Sequence, residues 1–200
     1  MQGEALLSLA EQAVAAAQKA GATSSDALAV FSTDVNASIR SGAPEAIERA
    51  ESTGVGLRVF VGQASATLSS SDLTADSMPR LAEQAVAIAK VAPADQFAGL
   101  ADASLLANNV ASLDIADEAV PEMNHLQALA RDAEAAGTSQ AGITNSNGGD
   151  ASASHHQLAL VTSHGFSGQY ATSRYSISAS LIAGQGETMQ RDYDYAMVTH

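Results

Sequence analysis

The spacing of apolar positions changes along the chain, and each change predicts an element. Over residues 3–20, Leu6, Leu9, Ala10, Ala13, Val14 and Ala17 recur at steps of three and four, the spacing of an amphipathic helix. Gly21 is a natural stop, and Lys19 complements the dipole at the helix end. Residues 27–70 turn to alternation and β-branched runs: ALAVFST, VNASIRSG, AIERAES, GVGLRVFVG and QASATLSSS. They predict four or five strands in a mostly antiparallel meander. Val55, Leu57, Val59 and Val61 share one face, Arg58 and Phe60 the other, and Gly62-Gln63 closes a hairpin onto Ala64, Ala66 and Leu68. Helical spacing returns at 74–91, with Thr74 or Asp76 as cap, Pro79 in the first turn, and a stripe of Leu81, Ala85, Ile88 and Ala89. After an irregular stretch over 92–116, a third helix is predicted at about 117–136. Asp117 is its cap, Pro121 lies in its first turns, Val120, Met123, Leu126, Ala130 and Ala133 form its apolar face, and Gly137 ends it. From 140 onward the pattern is strand-like, with a turn at Asn147-Gly148-Gly149. In 177–183, Ile177, Ala179, Leu181 and Ala183 point one way and Ser176, Ser178 and Ser180 the other, a half-buried strand with a polar face.

This order of helix, strands, helix, helix, strands predicts an α+β fold: a mostly antiparallel sheet with about three packed helices. Composition adds detail. Hydrophobic residues make up 46% of the 200, so a sizeable core can form, but aromatics are only 4%, so that core must be built from Ala, Val, Leu and Ile. The net charge of −13 and only two lysines, Lys19 and Lys90, exclude a nucleic-acid or anionic-membrane surface, which needs clustered basic side chains. No run of about 18 uncharged apolar residues occurs, so no transmembrane helix is expected. With no cysteine, disulfides, thiolate metal sites and a cysteine nucleophile are excluded. Glu4 and Glu11 stand where a signal peptide would carry basic residues, and a cytoplasmic protein is expected. The run RDYDYAMVTH ends without a polar tail or helix, which reads as a chain that continues.

The candidate chemistry is sparse. The histidines are His125, His155, His156, His164 and His200, with no HExxH motif. His155 and His156 are adjacent and would point to opposite faces of a strand. His156 and His164 would stand roughly 26 Å apart along one, so no metal site is expected. Gly54-Val55-Gly56 has Val59 where a dinucleotide fingerprint has its third glycine, and it opens a strand rather than a helix. Serine is abundant, and Ser163-His164-Gly165 and Ser167-Gly168 stand out, but no G-x-S-x-G elbow exists. No catalytic residue is assigned. The polar strand faces are a different signal. Arg174, Ser176, Ser178, Ser180, Gln190 and Arg191 would line a face that is neither core nor highly charged. Such a face can hold an extended peptide by its backbone or meet another subunit.

Three stretches resemble the TldD/PmbA family. Residues 41–90 carry a strand pair ending in GVGLRVFVGQ, then ASATLSSSDL leading into a helix, similar to the family's N-terminal domain. Residues 95–107, DQFAGLADASLLA, resemble its AGLADP stretch. Residues 163–195, SHGFSGQYATSRYSISASLIAGQGETMQRDYDY, resemble the PmbA branch, also called TldE, with Asp194 where an aromatic is usual. The resemblance implies the N-terminal portion of a protein about twice as long. Residues 1–110 would be a first α+β domain and 111–200 the start of a second.

The resemblance further implies a cytoplasmic metallopeptidase of two paralogous subunits. It degrades unfolded peptides and trims leader peptides, and its members also carry the name modulator of DNA gyrase. Zinc belongs to the TldD-like partner, whose H-E-x-x-x-H helix has no counterpart here, so no cofactor is expected in this chain. It would be the subunit that does not bind metal, partnered by a TldD-like paralogue and an extended or unfolded peptide, or a homodimer when alone. The residues leave two other readings open: a stand-alone peptide-binding or scaffold protein, and a serine-type hydrolase.

Overall fold

The computed structural model describes residues 3–74, 76–107 and 112–199. The first apolar stripe forms helix α1, Gly3–Ala20, which buries Leu6, Ala10, Ala13, Val14 and Ala17. The alternating region forms three strands: β1, Ser24–Arg40; β2, Ala43–Val61; and β3, Ala64–Ser70. Helix α2 spans Ser77–Ala89 and α3 spans Met123–Thr138. Strands β4, Ile143–Thr162, β5, Ser167–Ala183, and β6, Gln190–Val198, complete an α+β fold. The six strands form one sheet in the order β3-β2-β1-β4-β5-β6. The β2–β3 and β5–β6 pairs are antiparallel, with Val61 opposite Ala64 across the Gly62-Gln63 turn.

Several expectations are corrected. The meander has three strands rather than four or five, because the anticipated breaks do not occur. In β1 the odd positions Ser25, Ala27, Ala29, Thr33, Val35, Ala37 and Ile39 are all buried, so one face stays inward across Ser32–Asp34 without a change of parity. Asn147-Gly148-Gly149 is not a turn but lies within β4. A Cβ on Gly149 would overlap the Ala130 carbonyl oxygen, so glycine here lets the α3 backbone approach the strand closely. Helix α3 begins at Met123, and Asp117 is not its cap; Glu122 occupies that position. Asp117 instead accepts a hydrogen bond from the Tyr175 hydroxyl at 2.5 Å, and its N–H donates to Ser173 Oγ at 3.0 Å, holding 115–117 beside β5. Gly137 does not end α3, which runs on to Thr138. In α2 the buried stripe is Met78, Leu81, Ala82, Ala85, Val86 and Ala89, while Ile88 is 47% exposed because it lies one position off that stripe. His200 and residues 108–111 of the irregular stretch lie outside the described residues.

The chain divides into two compact units. The first comprises residues 1–31, 52–113 and 157–170. In it α1 and α2 pack together over Ala27, Ala29, Val55, Leu57, Val59, Ala159 and Val161. Side chains such as Leu6 and Leu57, fully buried, each contribute roughly 1.5–3 kcal/mol. The second comprises residues 32–51, 114–156 and 171–200. Its core joins Leu126 and Ala130 of α3 to Val35, Ala37 and Ile39 of β1 and Ala151 and Ala153 of β4. Alanine at so many contacts brings helix and sheet backbones close, as the low aromatic content requires.

Candidate functional site: the β5–β6 ribbon

The register of β5 and β6 sorts the candidate residues. Ser176 lies opposite Met197, Ser178 opposite Tyr195, Ser180 opposite Tyr193 and Ile182 opposite Arg191. Paired residues share a face, and strand alternation adds Arg174. Five of the residues singled out in the sequence, Arg174, Ser176, Ser178, Ser180 and Arg191, therefore lie on one face of this ribbon. The sequence reading did not anticipate the aromatic half of that face. Tyr193 and Tyr195 are 65% and 61% exposed and stack with ring centroids 6.5 Å apart. The signal was present: Tyr193, Tyr195 and Met197 alternate with Asp192, Asp194 and Ala196.

The other face pairs Ile177 with Ala196, Ala179 with Asp194, Leu181 with Asp192 and Ala183 with Gln190, so Gln190 lies on this side and not with Arg191 as expected, because neighbours along a strand alternate. It looks toward α3, whose Gly137 sits directly over Leu181. Between helix and ribbon lies a groove of about 530 Å³, floored by Ile177, Ala179, Leu181 and Ala183 and walled by Ala133, Ala136 and Gly137. A second hollow of about 350 Å³ shares Ile177 and Ala196 with it and is lined by His125, Leu129, Tyr175 and Val198. Burial, then the hydrogen bond to Asp117, push the Tyr175 hydroxyl above its ordinary range, so it stays a neutral donor.

Strand β6 is the edge of the sheet, and part of that edge is closed chemically. The Tyr193 N–H donates to Asp192 Oδ1 and the Tyr195 N–H to Asp194 Oδ1, both at 2.9 Å. Carboxylates occupying backbone donors discourage another strand from pairing there.

A second polar cluster was not anticipated in the sequence. Glu134, only 3% exposed, accepts hydrogen bonds from the Ser41 and Gly42 N–H groups at 2.8 and 2.9 Å and from Ser146 Oγ at 2.5 Å. Ser41 and Gly42 have φ of 53° and 76°, a left-handed turn joining β1 to β2. Burial alone pushes the carboxyl up. The bonds from Ser146, Gly42 and Ser41, with the field of Arg40, outweigh it and hold Glu134 below the ordinary carboxylate range. The available clue was a glutamate four residues after Ala130 and eight after Leu126, on the buried stripe of α3.

The remaining candidates are dispersed. His156 Nε2 is 3.4 Å from Asp34 Oδ1, and His164 Nδ1 is 3.3 Å from the Ala101 carbonyl oxygen. Ser163 ties β4 to β1: its Oγ accepts from the Ser25 N–H and its own N–H donates to the Ser25 carbonyl.

Comparison with known proteins matches residues 25–89 to the model described as PmbA/TldA metallopeptidase domain 1, and residues 112–198 to the PmbA/TldA metallopeptidase central domain. The chain belongs to the PmbA/TldD family. A metalloprotease PmbA homologue of Haemophilus influenzae is 33% identical over 92% of this chain and 41% of its own length. Metalloprotease PmbA of Escherichia coli is 30% identical over 98% of this chain and 44% of its own. The chain thus spans less than half the length of these PmbA relatives. Solved structures share the fold, two of them as follows. A Bacteroides thetaiotaomicron protein described as a modulator of DNA gyrase has a TM-score of 0.86 at 19% identity, covering 95% of this chain and 44% of its own. TldE of Thermococcus kodakarensis has a TM-score of 0.71 at 12% identity, covering 95% and 43%.

A metallopeptidase family implies a metal, and the donor set of the described residues does not fit one. Among the described residues no three His, Cys, Asp or Glu side chains converge as ligands. Nor is any described helix long and apolar enough to cross a membrane.

Proposed function

We propose that this chain is the N-terminal region of a PmbA/TldE-like subunit, one that holds no catalytic metal and assembles in the cytoplasm with a zinc-bearing TldD-like paralogue. Its first domain is 1–110, and 111–200 begins the second. Together the subunits hydrolyse unfolded peptides and trim leader peptides. This chain supplies assembly surface and walls for an extended substrate, and the Arg174, Ser176, Ser178, Ser180 and Arg191 face of the ribbon is the part that meets peptide or partner. The observation that carries the reading is the ordered match of two PmbA/TldD domains along one chain, with relatives named metalloprotease PmbA. The dispersed histidines support placing the metal in the paralogue. A face of half-buried serines beside exposed tyrosine and arginine supports backbone-directed contact, which selects weakly among peptide sequences.

The test is co-expression of the full-length protein with the TldD-like paralogue of the same organism. The pair is expected to co-purify and to cleave an unfolded peptide in a chelator-sensitive way, while the PmbA-like protein alone does not cleave it. Chelator-resistant hydrolysis by the PmbA-like protein alone would replace this reading with a serine-type hydrolase. A soluble protein that never captures the paralogue would favour a stand-alone scaffold.

A further inference from the structure

The Asn147-Gly148 pair has no part in the function proposed above, and it carries a chemical liability. Asn147 is the one asparagine of the chain that precedes a glycine. A glycine there leaves the following main-chain nitrogen unshielded by any side chain, so that nitrogen can attack the asparagine carboxamide. The structure shows why glycine stands at 148. Its φ is 113°, and a Cβ would come within 2.8 Å of the Ile39 carbonyl oxygen. Around it the buried positions of β4 are 146, 148, 149, 151 and 153, the change of parity that marks a β-bulge. The attacking nitrogen is tied down. Its N–H donates to Ser146 Oγ at 2.9 Å, and Ser146 Oγ donates in turn to Glu134 Oε1 at 2.5 Å. Gly148 and Ser146 are buried, as is Glu134, which is itself fixed by the Ser41 and Gly42 N–H groups. All of these residues belong to the second unit. Ring closure also requires the Asn147 ψ to leave the extended range, roughly +135°, that a strand imposes.

We propose that Asn147 is a deamidation site and that the Glu134–Ser146 relay keeps it closed in the folded protein. Reaction requires a local opening of β4 that frees the Gly148 N–H and turns the Asn147 main chain. The Gly148 nitrogen then attacks Asn147 Cγ, and its proton reaches the leaving amine through water. The new N–Cγ bond closes a five-membered succinimide, the Cγ–Nδ2 bond breaks and ammonia departs. Water next adds to one of the two ring carbonyls and opens the ring to aspartate or isoaspartate. Nothing is oxidised or reduced, and water is the only co-reactant. The isoaspartate route adds a methylene to the main chain of β4. Next to it Gly149 already stands against the Ala130 carbonyl of α3, so the lengthened strand cannot restore the relay in its original register. The inference is independent of the peptidase reading and of what covers the sheet, because the relay is built from buried residues of α3 and β4.

The test follows deamidation of the full-length protein at neutral pH by peptide mapping, which assigns the product to 145 or 147 and separates aspartate from isoaspartate. The reference is a synthetic peptide of residues 143–152, in which nothing holds the Gly148 nitrogen. Folded protein is expected to react at 147 at least about tenfold more slowly than the peptide, as for any opening that under about a tenth of the molecules make. Because both processes need the same N–H released, that slowing should match the hydrogen-exchange protection of the Gly148 amide within about threefold. Ser146→Ala removes the acceptor and is expected to speed reaction at 147 about fivefold or more. Leu81→Ala, which empties a site in the first unit, is expected to leave the rate within about twofold. If Ser146→Ala fails to fold, the exchange comparison in the unaltered protein decides alone. Reaction of the folded protein at the peptide's rate would overturn the proposal, as would a Gly148 protection unrelated to the slowing. So would equal acceleration by Leu81→Ala, which would mean global unfolding, a folded Ser146→Ala protein that reacts no faster, or Asn145 as the main site.

Discussion

Glu134 shows how a single residue joins three segments that are distant in sequence. Its carboxylate is the common acceptor for the β1–β2 turn and for Ser146 of β4. Its pKa is lowered on folding, so the folded state binds fewer protons there than the unfolded chain. The resulting stabilisation is complete above the unfolded value of about 4.3 and is lost as pH falls through the lower folded value. Glu134→Gln is therefore expected to lower stability at pH 7 and to flatten the loss on acidification, as urea titrations at pH 7 and below pH 4 would measure. Glu134→Ala, which removes the shared acceptor of the Ser41 and Gly42 N–H groups and of the buried Ser146 hydroxyl, should cost about 1–3 kcal/mol. The serines of the ribbon should behave differently. Ser176→Ala, Ser178→Ala or Ser180→Ala each removes at most a neutral hydrogen bond of about 0.5–1.5 kcal/mol. Hydrolysis by a reconstituted complex should stay within a few-fold of normal. A loss of thousands-fold in a folded, partner-bound variant would identify a catalytic serine.

The helices and strands are held less by large side chains than by close backbone approach. Gly149 lies under Ala130 of α3, and a Cβ there meets main chain that cannot yield. Gly149→Ala should therefore destabilise by about 1–3 kcal/mol or more, the cost of forcing atoms into a filled core. Gly99→Ala, with open space around it, should be close to neutral. Thermal denaturation of the two variants makes the comparison. Leu81→Ala and Leu126→Ala empty sites that are 7% and 2% exposed and should each cost about 2–5 kcal/mol. Losses below about 0.5 kcal/mol at both would be incompatible with these helices packing on the sheet. Helices were the most legible elements because the 3.6-residue stripe lies within one contiguous segment. Strand boundaries in β1 and β4 were not, because turn-forming residues such as Ser32, Asp34 and Asn147 also fit inside a long strand whose neighbours satisfy its backbone. Parity was the better guide: the buried positions of β1 stay odd from Ser25 to Ile39.

At the scale of the whole molecule, the four long strands β1, β2, β4 and β5 each contribute a stretch to both compact units. The chain passes between units inside these four strands and once more at 113/114, within the irregular stretch, so a strand pattern carries no mark of most of the boundaries. Among the described residues the metal-binding side chains are dispersed over both units, and none of their groups forms a ligand set. Elemental analysis of the purified chain should accordingly give well under one zinc per molecule. Stoichiometric zinc surviving dialysis would require ligands that come together in some other way.

The sequence by itself determined the α+β class, the three helices, the β2–β3 hairpin, the alternation of β5 and the family. Each of these is carried by local periodicity or by a contiguous motif. The tertiary structure decided what depends on segments far apart in the chain. The pairing of β5 with β6 sets Tyr193 and Tyr195 beside the serines. The approach of α3 makes glycine necessary at 149 and turns Glu134 into an anchor for a distant turn. The same helix stands over β1 and β4 and reaches β5 at Leu181, and beside it a groove remains along the apolar side of the ribbon. Periodicity shows which face of a strand is apolar, but only the placement of α3 decides how much of that face is covered.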